Sequence, residues 1–338
     1  MAVVPSFAAL ADLASAKVGG EALAASDEFF GAASRLVEPD PPAVIPGKST
    51  PHGKWVDAWE TRRRRTPGHD WAVIRLGIRG RIHGVDVDTT HIDRDYPPQC
   101  AIEALDAARA VTKVTAAKSG APWIVVVPSS PVRGNSHNYF ELRGASSDRP
   151  WTHVRLNIHP DGGVARLRVY GESIVDWAAI ARADREIDLA DIRLGGLVVA
   201  ASDMQFGAKD NLIMPGRAAT IDDGWETQRR RGAGYDWAIV KLGTSGTITG
   251  IEIDTAPFKG SHPDSASVEG CFAPNATLGV LGSTEWFTVL PQTKLRPNFR
   301  HVFGCDLRDC GRASHVRLNI YPDGGVSRLR VFGRLPAT

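Results

Sequence analysis

The segment from His153 to Gly171 occurs twice: His315 to Gly333 repeats it with 16 of 19 positions identical. A match of that length requires two copies of one folding unit, which constrains this chain more than any figure of composition does. Other blocks travel with it. Trp59-Glu60-Thr61 returns as Trp225-Glu226-Thr227, Gly68-His69-Asp70-Trp71 as Gly234-Tyr235-Asp236-Trp237, and Gly84-Val85-Asp86-Val87-Asp88-Thr89 as Gly250-Ile251-Glu252-Ile253-Asp254-Thr255, all displaced by 166. The displacement is 176 from Ala24-Ala25-Ser26-Asp27 to Ala200-Ala201-Ser202-Asp203 and 162 at the long repeat, so length changes between blocks mark loops. The 338 residues divide accordingly into a first repeat over 1–173, a linker over 174–188 and a second repeat over 189–338.

Strict alternation identifies strands. Val154, Leu156 and Ile158 fall on one face while His153, Arg155, Asn157 and His159 fall on the other. Pro160-Asp161-Gly162-Gly163 supplies a turn and Val164 to Tyr170 alternates again, which predicts a β-hairpin in each copy. Asp70 to Leu76 and Val85 to Thr89 read as two further strands separated by a glycine-containing stretch, Ala101 to Ala110 as one Ala-rich helix, and Ile174 to Arg185 as a short amphipathic linker helix. Four prolines between 39 and 46 place Glu38 to Pro51 in a loop peculiar to the first copy. Many short strands with Gly and Pro punctuation predict an all-β chain of two tandem jelly-roll β-sandwich domains.

The charge balance, 40 basic against 38 acidic residues, gives no general attraction to nucleic acid or to an anionic membrane. No apolar run approaches the roughly 18 residues of a membrane span, and Met1 to Phe7 lacks the basic and apolar segments of a secretory leader, so the sequence reads as cytoplasmic. Cys100, Cys271, Cys305 and Cys310 have no counterparts across the repeat, which argues for free thiols, and Cys305 and Cys310 stand without a second pair at zinc-ligand spacing.

Several repeated polar residues carry chemistry. Glu60 and Glu226, each beside a Trp, serve either as acid or base groups with a pKa raised by desolvation, or as partners for the arginines that follow. Arg62-Arg63-Arg64-Arg65 and its counterpart Gln228-Arg229-Arg230-Arg231 form either an anion clamp or a solvated loop paired to nearby acids. His153, Arg155 and Asn157, with His315, Arg317 and Asn319, put a titratable ring, a cation and an amide on one strand face, which is a ligand surface if it lines a cleft and the wet side of a sheet if it does not. The alternative for Arg155 and Arg317 is pairing with Asp88 and Asp254. Those carboxylates, beside Asp86 and Glu252, are too few for a metal site by themselves. Asp27 and Asp203 suit turn capping, and Asp161 and Asp323 belong to Pro-Asp-Gly turns.

Taken together, Gly-Lys-Trp-Val-Asp-Ala-Trp-Glu-Thr-Arg-Arg-Arg-Arg at 53 to 65, Gly-His-Asp-Trp at 68 to 71, Asp-Gly-Trp-Glu-Thr at 223 to 227 and the duplicated His-Val-Arg-Leu-Asn-Ile resemble the allantoicases, over a span from about Phe7 to Gly333. The resemblance implies galactose-binding-like jelly rolls and hydrolysis of allantoate to ureidoglycolate and urea in purine breakdown. It also implies a homo-oligomer. The family's Phe-x-Gly-Asn stretch is kept only in part at Phe258-Lys259-Gly260-Ser261 and lost further at Ile92-Asp93-Arg94-Asp95.

Replacing one ureido group of allantoate by hydroxyl needs a proton for departing urea, an activated water and a cation for the carboxylate. These roles predict Glu60, Glu226, His153 and His315 as catalytic residues, and Arg62, Arg155, Asn157, Arg229, Arg317 and Asn319 as substrate-binding ones. No cofactor is required; a divalent metal is compatible with the chemistry, and its ligands are unassigned. The alternative function is a non-enzymatic β-sandwich that binds carbohydrate or another small ligand. The copies are predicted to be inequivalent, because His159 against Tyr321, Tyr96 against His262 and Arg62 against Gln228 break the symmetry at polar positions only.

Overall fold

One strand runs through both layers of each unit. The computed structural model describes residues 3–107, 122–183, 185–308 and 311–335, and divides into two units, Met1–Ile174 and Val175–Thr338. The first unit contains β1 (Ala11–Asp12), β2 (Glu21–Ala25), β3 (Ser49–Thr50), β4 (Gly53–Lys54), β5 (Trp59–Glu60) and β6 (Asp70–Asp88). It continues with β7 (Gln99–Leu105), β8 (Ile124–Pro131), β9 (His137–Glu141), β10 (Pro150–His159), β11 (Gly163–Val164) and β12 (Arg166–Ser173). The 19-residue β6 pairs through Ala72 to Arg75 with β2 on one side, through Asp70 to Arg75 with β10 on the other, and through Gly84 to Asp88 with both β12 and β9. One layer is therefore β2-β6-β10-β7-β8 and the other β1-β12-β6-β9, all antiparallel.

The second unit repeats the plan. It contains β13 (Ile187–Asp188), β14 (Leu197–Ala201), β15 (Trp225–Glu226), β16 (Asp236–Asp254), β17 (Ser265–Cys271), β18 (Phe287–Lys294), β19 (Arg300–Phe303), β20 (Arg312–Tyr321), β21 (Gly325–Val326) and β22 (Arg328–Arg334). The shared 19-residue strand is β16, flanked by β14 and β20 in one half and by β22 and β19 in the other. The architecture is the expected all-β tandem jelly roll.

Alternation places the core. Val154, Leu156 and Ile158 of β10 and Leu167 and Val169 of β12 are fully buried, as are Val316, Leu318, Ile320, Leu329 and Val331. At the loop end, the indoles of Trp59 and Trp225 are fully buried and donate to the carbonyls of Asp27 and Asp203, both at 2.8 Å. The Trp-Glu-Thr block is thus first a packing device: it pins the loop end of each unit.

Three local expectations need correction. The segments 70–76 and 85–88 belong to one bent strand, because the glycines between them let β6 turn without leaving the sheet, and Thr89 lies just past its end. The predicted hairpin does not form: β10 pairs with β6 and β7, β12 pairs with β6 and β1, and Pro160 to Gly163 carries the chain from one layer to the other. Alternation shows which face of a strand is buried and is silent about its neighbour. Gly162, at φ 139, makes the crossover possible, since a Cβ there would stand 2.7 Å from the Pro97 nitrogen. Third, Ala101 to Leu105 lies in β7, between β10 and β8, because Cys100, Ile102 and Ala104 alternate into the core, and 108–110 lie outside the described residues.

Between the repeats a helix covers Trp177–Arg182, capped by Asp176, whose carboxylate accepts from the Ala179 N–H at 2.9 Å. Cys100 and Cys271 are buried free thiols and Cys305 an exposed one. Cys310 lies outside the described residues.

Candidate active site

The loop end of the first unit holds a cleft of about 370 Å³ lined by Phe30, His52, Val56, Glu60 and the segment His91 to Asp95. Glu60 reaches it because β5 is tied down on both sides. Its own N–H bonds the Gly31 carbonyl, and β11 pairs with it through Gly163. Thr61, next along, locks the crossover turn by accepting from the Gly162 N–H at 3.2 Å. The second wall is the loop after β6. Its Asp95 carbonyl accepts from the Gly163 N–H at 2.6 Å, and Ile92 packs with Ala58 and Ala165. His91 takes a left-handed backbone conformation, φ 68, with its N–H bonded to Asn135 Oδ1 at 2.9 Å. Strain of this kind concentrates at sites that use it.

Burial pushes the Glu60 carboxyl above its ordinary range, and the charge of Asp95 pushes in the same direction. Two carboxyl groups in one cleft, one of them raised, are a pattern from which an acid and a base can be drawn. Arg94 adds a cation that has no ion-pair partner among the described residues. Among those residues no group of three or more His, Cys, Asp or Glu side chains is arranged to hold a metal.

The arginine run is largely engaged. Arg62 is not part of the cleft's lining: it bonds Asp27 through Nε at 2.7 Å and covers the Phe29 ring at 5.1 Å, while Phe29 packs edge-on against Phe30, which does line the cleft. Arg64 pairs with Asp70 at 2.9 Å, and its N–H bonds Asp161 at 2.6 Å. Arg230 makes the equivalent contacts to Asp236 and Asp323, and Arg229 is exposed. Asp27 also caps its turn, accepting from the Phe29 N–H at 2.9 Å.

The strand-face residues stand elsewhere, outside the lining of the Glu60 cleft. On the face of β10 turned away from the core, Arg155 bonds Glu103 of β7 through Nε and Nη2, both at 2.6 Å, and Asn157 donates to the same oxygen at 2.8 Å. Trp123 lies 4.9 Å from the guanidinium, and His69 contacts Asn157 Oδ1 at 3.2 Å. The second unit repeats the ladder with Arg317, Asn319, Glu269 and Trp286. The acids that neutralise Arg155 and Arg317 are thus Glu103 and Glu269, directly opposite on the adjacent strand, and not Asp88 and Asp254 across the chain. Each guanidinium offered to a substrate carboxylate would first have to release a short, half-buried bond.

His153 and His315 are buried imidazoles with lowered pKa values, through burial first and then the neighbouring Arg75 and Lys241 respectively, and His315 falls to about 4. Both are neutral at neutral pH.

Sequence reasoning missed His52, His91, Arg94 and Asp95 as a group. A signal was present: their loop aligns with Pro257, Lys259, Gly260 and Ser261, so His91, Arg94 and Asp95 exist in the first copy only.

Comparison with known proteins agrees with this architecture. The family profile described as the allantoicase repeat matches residues 11–174 and again 187–336. A probable allantoicase of Burkholderia mallei is 46% identical over 326 residues, covering 96% of this chain and 94% of that protein. One of Rhizobium meliloti is 47% identical over 340 residues, covering 98% and 96%. The crystal structure of the Saccharomyces cerevisiae allantoicase superposes with a TM-score of 0.82 at 33% identity, over 96% of this chain and 92% of that one.

Proposed function

The chain belongs to the allantoicase family, and from that premise we propose that it is a hydrolase that converts allantoate and water to ureidoglycolate and urea, with the reaction placed at Glu60 in the first unit. The observation that carries this reading is the pairing of a raised Glu60 carboxyl with Asp95 in a cleft that also holds a free cation. Allantoate bears two ureido groups and a carboxylate on one carbon. Its carboxylate meets Arg94, with Arg62 as a second cation. Glu60 acts as the acid, giving a proton to the ureido nitrogen as the carbon–nitrogen bond breaks; Asp95 acts as the base, taking one from the water whose oxygen forms the new carbon–oxygen bond. His52 and His91 are placed to bond the spared ureido group. Glu226 occupies the equivalent strand position beside a loop without the second carboxylate, and its part is the lesser one. The binding-module alternative gains nothing from the family match.

Urea released from allantoate by the purified full chain tests the reading directly. Stoichiometric urea and ureidoglycolate are expected; no urea from the folded protein, with or without added divalent ions, ends it.

The strand-face arginines enter this scheme as structural groups. Arg155→Lys and Arg317→Lys keep the charge and lose the fork, so each is expected to cost about 1.5–3 kcal/mol of stability through weakened charge-assisted bonds to Glu103 or Glu269. Turnover per folded molecule should be retained. A fall in kcat/KM with an unchanged thermal midpoint would return these residues, and with them Asn157 and Asn319, to the substrate.

A further inference from the structure

The second unit contains a cavity that the reaction at Glu60 leaves unused. About 280 Å³ in volume, it lies over the face of β20 turned away from the core, against the helix Leu278–Ser283, and its lining includes Lys241, Asn275, Leu281 and His315. The hydrogen-bond network fixes how His315 faces it. Ser314 Oγ accepts from the Ala273 N–H at 2.7 Å and donates to the Cys271 carbonyl at 3.3 Å, so the third contact, 3.0 Å from His315 Nδ1, has the imidazole as donor. Nε2 then keeps its lone pair, and no described residue bonds it. The first unit builds the same relay with Thr152 and His153, so the tautomer is a property of the repeat.

What differs between the copies is charge. Arg75, directly opposite His153 on β6, is neutralised by Glu21 of β2 at 2.9 Å. The equivalent cation, Lys241 opposite His315, faces Leu197 of β14 where Glu21 would stand. The second copy has kept the cation and lost its anion, and Lys241 has no ion-pair partner among the described residues. A buried neutral acceptor, an unneutralised ammonium and an amide thus converge on one cavity.

We propose that this cavity binds a small ureido acid: the Lys241 ammonium meets its carboxylate, His315 Nε2 accepts a ureido N–H, and the Asn275 side chain donates to the ureido carbonyl. The carboxylate and N–H requirements come from the cavity's own groups; the ureido class rests on the allantoate reading above. The site is expected to hold ligand without turning it over, since it offers no acid or second carboxylate.

Calorimetric titration of the full chain with N-carbamoylglycine, which has no second ureido group to lose, tests this. Lys241→Met is expected to weaken one binding component at least tenfold, Asn275→Ala to weaken the same component, and butyrate to bind it at least tenfold more weakly than the ureido acid does. Both substituted positions are at the surface, and an unchanged melting curve establishes that the fold survives. An isotherm unaltered in both variants overturns the site, and butyrate binding as tightly as N-carbamoylglycine overturns the ureido assignment. Wild-type protein that releases no urea from allantoate but binds N-carbamoylglycine through Lys241 retains the site while the proposed reaction falls.

Discussion

Glu60→Gln is expected to lower kcat for allantoate by about 10²–10⁴, the range over which a positioned general acid contributes. That corresponds to about 2.7–5.5 kcal/mol of transition-state stabilisation. KM should change little, because glutamine keeps the size and hydrogen-bonding reach of the protonated acid and loses only the transferable proton. The matching Glu226→Gln change should cost less than about tenfold, since Ser261 stands where Asp95 does in the first copy and the second carboxylate is missing. Equal losses in the two variants would abolish the division of labour. The pH profile supplies an independent reading. Burial, then Asp95, raises Glu60, so activity that needs the protonated form declines as pH rises through that raised value. Asp95→Asn should move this limb toward acid pH as well as removing the base. The linked stability has the same sign: a carboxyl whose folded pKa lies above its unfolded one stabilises fully below the unfolded value and loses that contribution as pH rises through the folded one. Glu60→Gln is therefore expected to be no less stable than the wild type at neutral pH, the signature of a group kept for chemistry.

Arg166→Met is the largest expected loss of stability, about 3–5 kcal/mol, because it removes one partner from a buried ion pair. Arg166 is 2% exposed and spends its guanidinium on the Asp57 carboxylate at 2.9 Å, the Asp57 carbonyl at 3.0 Å and the carbonyls of Asp40 and Ala165 at 2.9 and 2.8 Å. Methionine fills the space and leaves these acceptors desolvated. In a unit of this size the loss corresponds to a fall in thermal midpoint of about 6–20 °C. Arg62→Met, which breaks an exposed pair to Asp27, should cost only about 0–1 kcal/mol. Burial alone would raise Asp57; the bonds from Arg166, the Ala43 N–H and Arg35 outweigh it and hold the carboxyl below its ordinary range. Its contribution is consequently present above the unfolded pKa and lost as pH falls through the folded one. An Arg166→Met protein that melts with the wild type would show that the pair contributes no net stability. Arg328, bonded to Asp223 at 3.0 Å and to its carbonyl at 2.6 Å, is the corresponding test in the second unit.

These two arginines show where sequence reasoning stops. Arg166 and Arg328 sit inside the repeat that reveals the fold, yet alternation gives Arg no reason to be internal. Besides the carbonyls of Ala165 and Ser327 next to them in sequence, the loops at Asp40 to Asp57 and Gly216 to Asp223, folded over them, supply the acceptors that make burial tolerable. The strands themselves were legible because period-2 patterning is local. Pairing was not, so β10 and β12 looked like neighbours although they lie in different layers. Glu60 could be singled out from the Trp and arginines around it. Its neighbours in the cleft could not, because His91 to Asp95 come beside it only when the crossover at Gly162 brings that loop against β5.

The strand shared by both layers has a consequence for how each unit comes apart. In a sandwich of independent sheets, one sheet can fray while the other holds. Here β6 and β16 are members of both, so detaching either layer tears hydrogen bonds from the strand that anchors the other. Each unit is thus built to open all at once, and the amides at the centre of β6 and β16 should exchange with solvent only when their whole unit unfolds. Edge strands such as β8 and β18 are free to breathe, and the rigidity that holds Glu60 and Asp95 in register is inherited from a strand to which neither belongs.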